Sequence, residues 1–218
     1  MKIRNLFISA ILSTAFFARA GEIVRIQLDP EKEYQFLMLA KLPNDFNRLP
    51  QEDSTVKFKR DAENLYISVD MLDADTISES VSDQTNLTKF GDALQIFVKP
   101  EKDTRLWELM SDVKNRKSCF FHWGAGRMIY YPAPSAPAPV KISAKSEKTA
   151  SGWKSEIVFP IAEVAKANDI PADAVWNIMV IRYNCGSNLN LKDTSCFPQA
   201  VTKENDPARF ARLFPAGK

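Results

Sequence analysis

Residues 56–100 read VKFKRDAENLYISVDMLDADTISESVSDQTNLTKFGDALQIFVKP. Three runs of alternating apolar and polar residues are broken by Asp, Asn and Gly. Alternation with a period of two puts successive side chains on opposite faces of a half-buried strand. Asp and Asn between such runs bond their own backbone, and Gly supplies the conformations that tight turns need. Asp73 and Asp75 leave the end of the second run, and Gly91-Asp92 opens the third. Asp92 is expected to fix that opening by accepting backbone amides.

The same pattern extends through the chain. Strands are predicted at 22–28, 34–39, 54–60, 64–71, 92–99, 105–110, 118–123, 127–131, 139–146, 152–159 and 174–183, with a last one near 210–214. Strands at this spacing with polar turns between them imply an all-β sandwich or barrel rather than βαβ units. One short helix is predicted from Pro160, where proline suits the first turn, through IAEVAKAN to Asp169-Ile170-Pro171. The proline-rich segment 132–139 reads as an extended loop within one domain, because alternation resumes at once in VKISAKS.

At the N-terminus, Lys2 and Arg4 precede an apolar stretch from Leu6 to Phe17, and Ala18-Arg19-Ala20 stands before Gly21. These three parts predict a secretory signal peptide over 1–20 and one domain over 21–218. The apolar stretch is well short of the ~20 residues that span a bilayer. The chain's formal charge of +2 becomes −1 once Lys2, Arg4 and Arg19 are removed, since no acid precedes residue 21. A nearly neutral surface argues against nucleic acid, whose backbone demands a basic patch.

The three cysteines are Cys119, Cys185 and Cys196. Cys185 and Cys196 flank a Gly-Ser-Asn-rich tip and could close it as a disulfide in an oxidising compartment. Cys119, inside SCFFHW, reads as a small core residue. One histidine and no CxxC exclude a zinc site of recognisable spacing.

Four segments in order carry a family resemblance. They are VKFKRDAENLYISVDMLDAD, FGDALQIFVKP, SGWKSEIVFPIAEV and VWNIMVIRYN, with RFARLFP near the end. Together they resemble the family 9 carbohydrate-binding modules of the wider DOMON-like group. The resemblance implies a jelly-roll-like sandwich of two antiparallel sheets with one short helix, secreted or periplasmic and without catalytic activity. Its partner would be a polysaccharide or oligosaccharide stacked on aromatic rings. Such modules frequently hold calcium, and Asp73, Asp75 and Asp83 resemble their acidic loop. Arg182 occupies the family's strand arginine, with Asn184 and Asn188 following it. Phe197 stands where the family often has a tryptophan.

Exposed aromatics are the first candidates for sugar stacking, with polar side chains reading the hydroxyls. Trp153 and Trp176 lie in strand motifs with apolar alternate positions and are expected in the core. Trp107 and Trp123 lie in the divergent region between 105 and 132 and are the candidate stacking residues. Arg182 and Asn184 are the candidate hydroxyl readers. His122 lacks the companions of a catalytic base. Two alternatives stay open: a haem-binding electron-transfer domain with His122 and either Met128 or Met71 as axial ligands, and a sandwich with a purely protein-interaction role.

Overall fold

The computed structural model describes residues 26–39, 48–123, 127–129, 140–199 and 210–215. The expected signal peptide and the proline-rich segment lie outside them. Two antiparallel sheets face each other. The smaller has the order β1 (Glu33–Gln35), β3 (Ser54–Arg60), β4 (Leu65–Leu72), β10 (Gly152–Phe159), β9 (Ser143–Lys148). The larger runs β2 (Leu37–Met38), β12 (Leu191–Phe197), β11 (Trp176–Cys185), β5 (Ala93–Pro100), β6 (Arg105–Asp112), β7 (Lys117–Trp123), β8 (Arg127–Ile129). Strand β13 (Ala211–Leu213) adds to β11 beyond the end of β12. The helix α1 (Ile161–Ala167) follows Pro160 and buries Ile161, Val164 and Ala165.

The predicted strand at 34–39 is two short strands serving different sheets, with the fully buried Phe36 at the crossing. Strand β12 falls where the sequence suggests only a loop between Cys185 and Cys196. Its first four residues, LKDT, lack apolar alternation, and only Ser195–Phe197 are buried continuously.

The smaller sheet alternates cleanly. Val56 and Phe58 on β3 and Leu65, Ile67, Val69 and Met71 on β4 face inward. Their neighbours form a charged outer face, with Lys57 on Glu33 and Lys154 on Asp70. The larger sheet is different, because β5, β6, β7 and β11 are apolar in both phases and buried on both faces. Its inner face supplies Ile96, Val98, Trp107, Leu109, Phe121, Trp176, Ile178 and Val180 to the main core. On its outer face Leu39 and Phe210 pack with Phe97, Leu106, Met179 and Ile181. Leu87, on a 3₁₀ turn, packs there with Met110 and Phe120.

Gly91 is required at the start of β5. Its φ of +130° disfavours any side chain, and a Cβ would lie 2.3 Å from the Ile77 carbonyl oxygen. That close approach lets Asp92 accept the Ile77 amide at 2.6 Å and the Cys185 amide at 2.7 Å. Asp92 therefore ties the loop after β4 to the end of β11, as expected for the strand opening.

Candidate functional site

The strand register divides the predicted site residues between two ends of the sandwich. Arg182 pairs with Leu94, and Leu94 pairs with Ser111. Trp123 pairs with Arg105 at the other end of β6. Six residues along β6 separate these levels, about 20 Å at ~3.3 Å per residue. The structure thus does not bring Trp123 together with Arg182 and Asn184.

Trp107 corrects the sequence expectation more sharply. It is 0% exposed, with its ring centroid 5.4 Å from Phe121, 5.9 Å from Trp176 and 6.3 Å from Phe159. Its place on the inner face of β6, opposite Val98 and Phe121, puts it at the centre of the core. No sugar can stack on it there. Trp153 and Trp176 are also fully buried. Trp123, in contrast, is 57% exposed, its ring packed edge-on against Phe121 at 5.9 Å.

Arg182 is likewise an interior residue. Its alternation partners on β11 are Trp176, Ile178 and Val180, so it points between the sheets, and it is 0% exposed. One terminal nitrogen donates to the Glu52 carbonyl at 3.1 Å and Ser54 Oγ at 2.8 Å. The other donates to the Leu72 carbonyl at 2.7 Å and lies 3.4 Å from Asp73. Asn184 is also fully buried, donating to Glu52 Oε2 at 2.9 Å. Neither side chain reaches the surface to read a hydroxyl. Asn188 accepts the Asn190 amide within its own turn.

Asp73 and Asp75 do meet, and Glu52 joins them, with one carboxylate oxygen of each within 4.8 Å of the others. Asp83 stays outside, accepting the Lys117 amide. The three acids are already engaged by cations: Lys192 contacts Asp75 and lies 3.7 Å from Glu52, and Arg182 lies 3.7 Å from Glu52. Calcium wants six to eight oxygen ligands. With an ammonium and a guanidinium seated among the carboxylates, the donor set does not fit calcium as a resident ion.

Burial pushes the Asp73 carboxyl above its usual range, against the Asp75 amide and Arg182. Asp92 is pushed up to about 6, chiefly by burial and further by the Asp73 charge. A carboxyl whose folded value exceeds its unfolded value holds its proton more tightly when folded, so stability rises as pH falls through the folded value. Between pH 7.5 and 5, Asp92 should therefore add about 1 kcal/mol to the unfolding free energy. Urea unfolding at the two pH values checks this. The gain should disappear in Asp92→Asn; an equal gain in that variant would remove Asp92 as the cause.

The cysteines are free and buried. Cys196 pairs with Ile181, four residues along β11 from Cys185. At ~3.3 Å per residue that is about 13 Å, beyond the ~7 Å a disulfide spans between Cα atoms. The Cys185–Cys196 bridge is thus ruled out by register. Burial pushes the Cys119 thiol up to about 12 and the Cys185 thiol up to about 11.

The outer face of the larger sheet holds a hydrogen-bonded polar row that the sequence does not assemble. Tyr183 on β11 donates to Gln95 Oε1 on β5 at 2.8 Å. Gln95 Nε2 donates to Glu108 Oε1 on β6 at 2.5 Å, and His122 Nε2 on β7 lies 2.6 Å from Glu108 Oε2. A carboxylate accepts on both oxygens, so Gln95 and His122 are the donors and both side chains are oriented by Glu108. Four neighbouring strands thus each place one polar residue in a row, within a face otherwise built from Phe97, Leu106, Met110, Phe120, Met179 and Ile181. Glu108 and His122 are buried, whereas Gln95 and Tyr183 are half-buried and reach the surface. The available signal was one polar residue in mid-strand where both phases are otherwise apolar.

This arrangement does not suit haem. His122 Nε2 is engaged by Glu108 on the outer face, and Met71 is buried between the sheets. Met128 pairs with His122 across the β7–β8 ladder.

No family model matches the chain, and no curated protein does. Solved structures do. A candidate carbohydrate-binding protein of Bacteroides uniformis superposes with a TM-score of 0.61 at 13% identity, over 84% of this chain and 86% of its own. A family 9 carbohydrate-binding module from Caldicellulosiruptor kristjanssonii, in complex with glucose, gives 0.57 at 11% identity over 89% and 96%. One from the same organism in complex with cellotriose gives 0.54 at 12% identity over 79% of each chain. The chain has the fold of these modules: two antiparallel sheets and one short helix.

Proposed function

We propose that this chain is an exported, non-catalytic carbohydrate-binding domain that holds an oligosaccharide or polysaccharide, in the periplasm or outside the cell. The observation that carries the reading is its sandwich, matched over most of its length by modules in complex with glucose and cellotriose. Two surface features support it. Trp123 offers an exposed indole on which the apolar face of a pyranose can stack. On the opposite face of the same sheet from Trp123, His122 ends the polar row through Glu108 and Gln95 to Tyr183. Gln95 and Tyr183 reach the surface and would bond hydroxyls, with Glu108 holding Gln95 in place.

Affinity gels with a panel of plant and algal polysaccharides test this reading. Some glycan should retard the protein, and Trp123→Ala should weaken retention at least about tenfold without altering the unfolding midpoint. Gln95→Ala should weaken it as well. Absence of retardation by every glycan would defeat the proposal, as would retardation untouched by both substitutions. Release of sugar from the same glycans would show an enzyme instead.

A further inference from the structure

Three carboxylates whose oxygens gather within 4.8 Å repel one another unless a cation joins them. They come from two separate segments: Glu52 from the chain before β3, and Asp73 and Asp75 from the loop after β4, with Asn184 and Lys192 facing them from β11 and β12. Lys192 touches Asp75 and stands 3.7 Å from Glu52. Asp75 also accepts the Ser187 amide, and Glu52 accepts the Ala74 amide. One ammonium therefore fastens the β11–β12 turn to both acidic segments. Asp73 Oδ2 and Asn184 Oδ1, on nearly or fully buried residues, lack hydrogen-bond partners, though Arg182 lies 3.4 Å from the former. Counting Arg182, the group carries three negative and two positive side chains.

We infer that Lys192 is an internal substitute for a divalent cation: its ammonium closes a loop cluster whose oxygens would otherwise form a metal site. Removing the ammonium while keeping the oxygens should then create a calcium site where the native chain has none. The oxygens left around the gap would be those of Glu52, Asp73 and Asp75, a hard-donor set that suits calcium better than softer metals.

The experiment follows thermal unfolding of the mature chain, Lys192→Met and Lys192→Gln, each in EDTA and in millimolar calcium chloride, with calorimetric titration of calcium alone. The native chain should unfold at the same temperature in both solutions and give no binding isotherm. Both variants should lose several degrees in EDTA, at the ~2–4 °C per kcal/mol of a chain this size. Calcium should restore that loss, with a dissociation constant of about 10⁻⁴–10⁻³ M, as in weak extracellular sites. Lys192→Arg should stay indifferent to calcium. A variant unfolded in EDTA that folds on adding calcium supports the inference equally. A native chain that loses several degrees in EDTA, or binds calcium in the titration, would overturn it. So would variants that gain neither calcium binding nor calcium-dependent stability.

Discussion

Arg182→Met should lower the unfolding free energy by about 3–5 kcal/mol, the cost of breaking a buried ion pair from one side. Methionine fills much of the space but makes none of the contacts. The Glu52 and Leu72 carbonyls and Ser54 Oγ each lose a donor, and Asp73 loses its nearest cation. Urea unfolding measures the loss, and a thermal midpoint roughly 10 °C lower accompanies it. Arg182→Lys should recover little of it, because a single ammonium cannot reproduce a planar fork whose two nitrogens bond β3 and β4 at once. A loss under 1 kcal/mol for the methionine variant would show that the guanidinium is not what joins the sheets here. Sugar retention by the folded variant should be unchanged, since the side chain is sealed from solvent.

The second large effect is at Trp107. Trp107→Ala opens a cavity among Phe121, Phe159 and Trp176 and should cost about 3–5 kcal/mol. Trp107→Phe should cost much less. The phenyl ring keeps most of the packing, and the indole N–H it removes has no hydrogen-bond partner. Trp123→Ala, at an exposed strand end, should fall within about 0.5 kcal/mol of the native chain. The measurement is chemical unfolding of the three variants side by side. Equal losses at positions 107 and 123 would contradict the burial difference on which the site assignment rests.

The sequence offers both Trp107 and Trp123 as candidates for contact with sugar, and the reason is physical. Strands β6 and β7 are apolar in both phases, so alternation cannot say which phase faces the opposing sheet. Only the pairing of Trp107 with Val98 and Phe121 settles it. For Arg182 the signal was present: it continues the phase of Trp176, Ile178 and Val180, all inward. A charged residue on that phase must bring its own acceptors, and the acidic segment Asp73–Asp75 supplied part of them. The two-sheet fold, the helix after Pro160 and the strands around 56–100 were legible because their turns are chemically distinct. Strand β12 was not, since LKDTS pairs with β11 without an apolar alternation of its own. Each member of the row from Tyr183 to His122 is legible as a polar residue in an apolar strand, but their association is not, because they lie on four strands that only folding brings side by side.

The pairing order also has a kinetic consequence. Each sheet is closed by a partner far along the chain: Val69 meets Ser155, and Gln95 meets Ile181, 86 residues apart in both cases. Adjacent hairpins such as β3–β4 and β5–β6–β7 can form as soon as they are made, but each exposes an apolar face until β10 and β11 arrive. Closing such long loops before any contact rewards them places folding in the millisecond-to-second range of β-rich topologies. A chain emerging from its N-terminus therefore has no complete core until the last third is available.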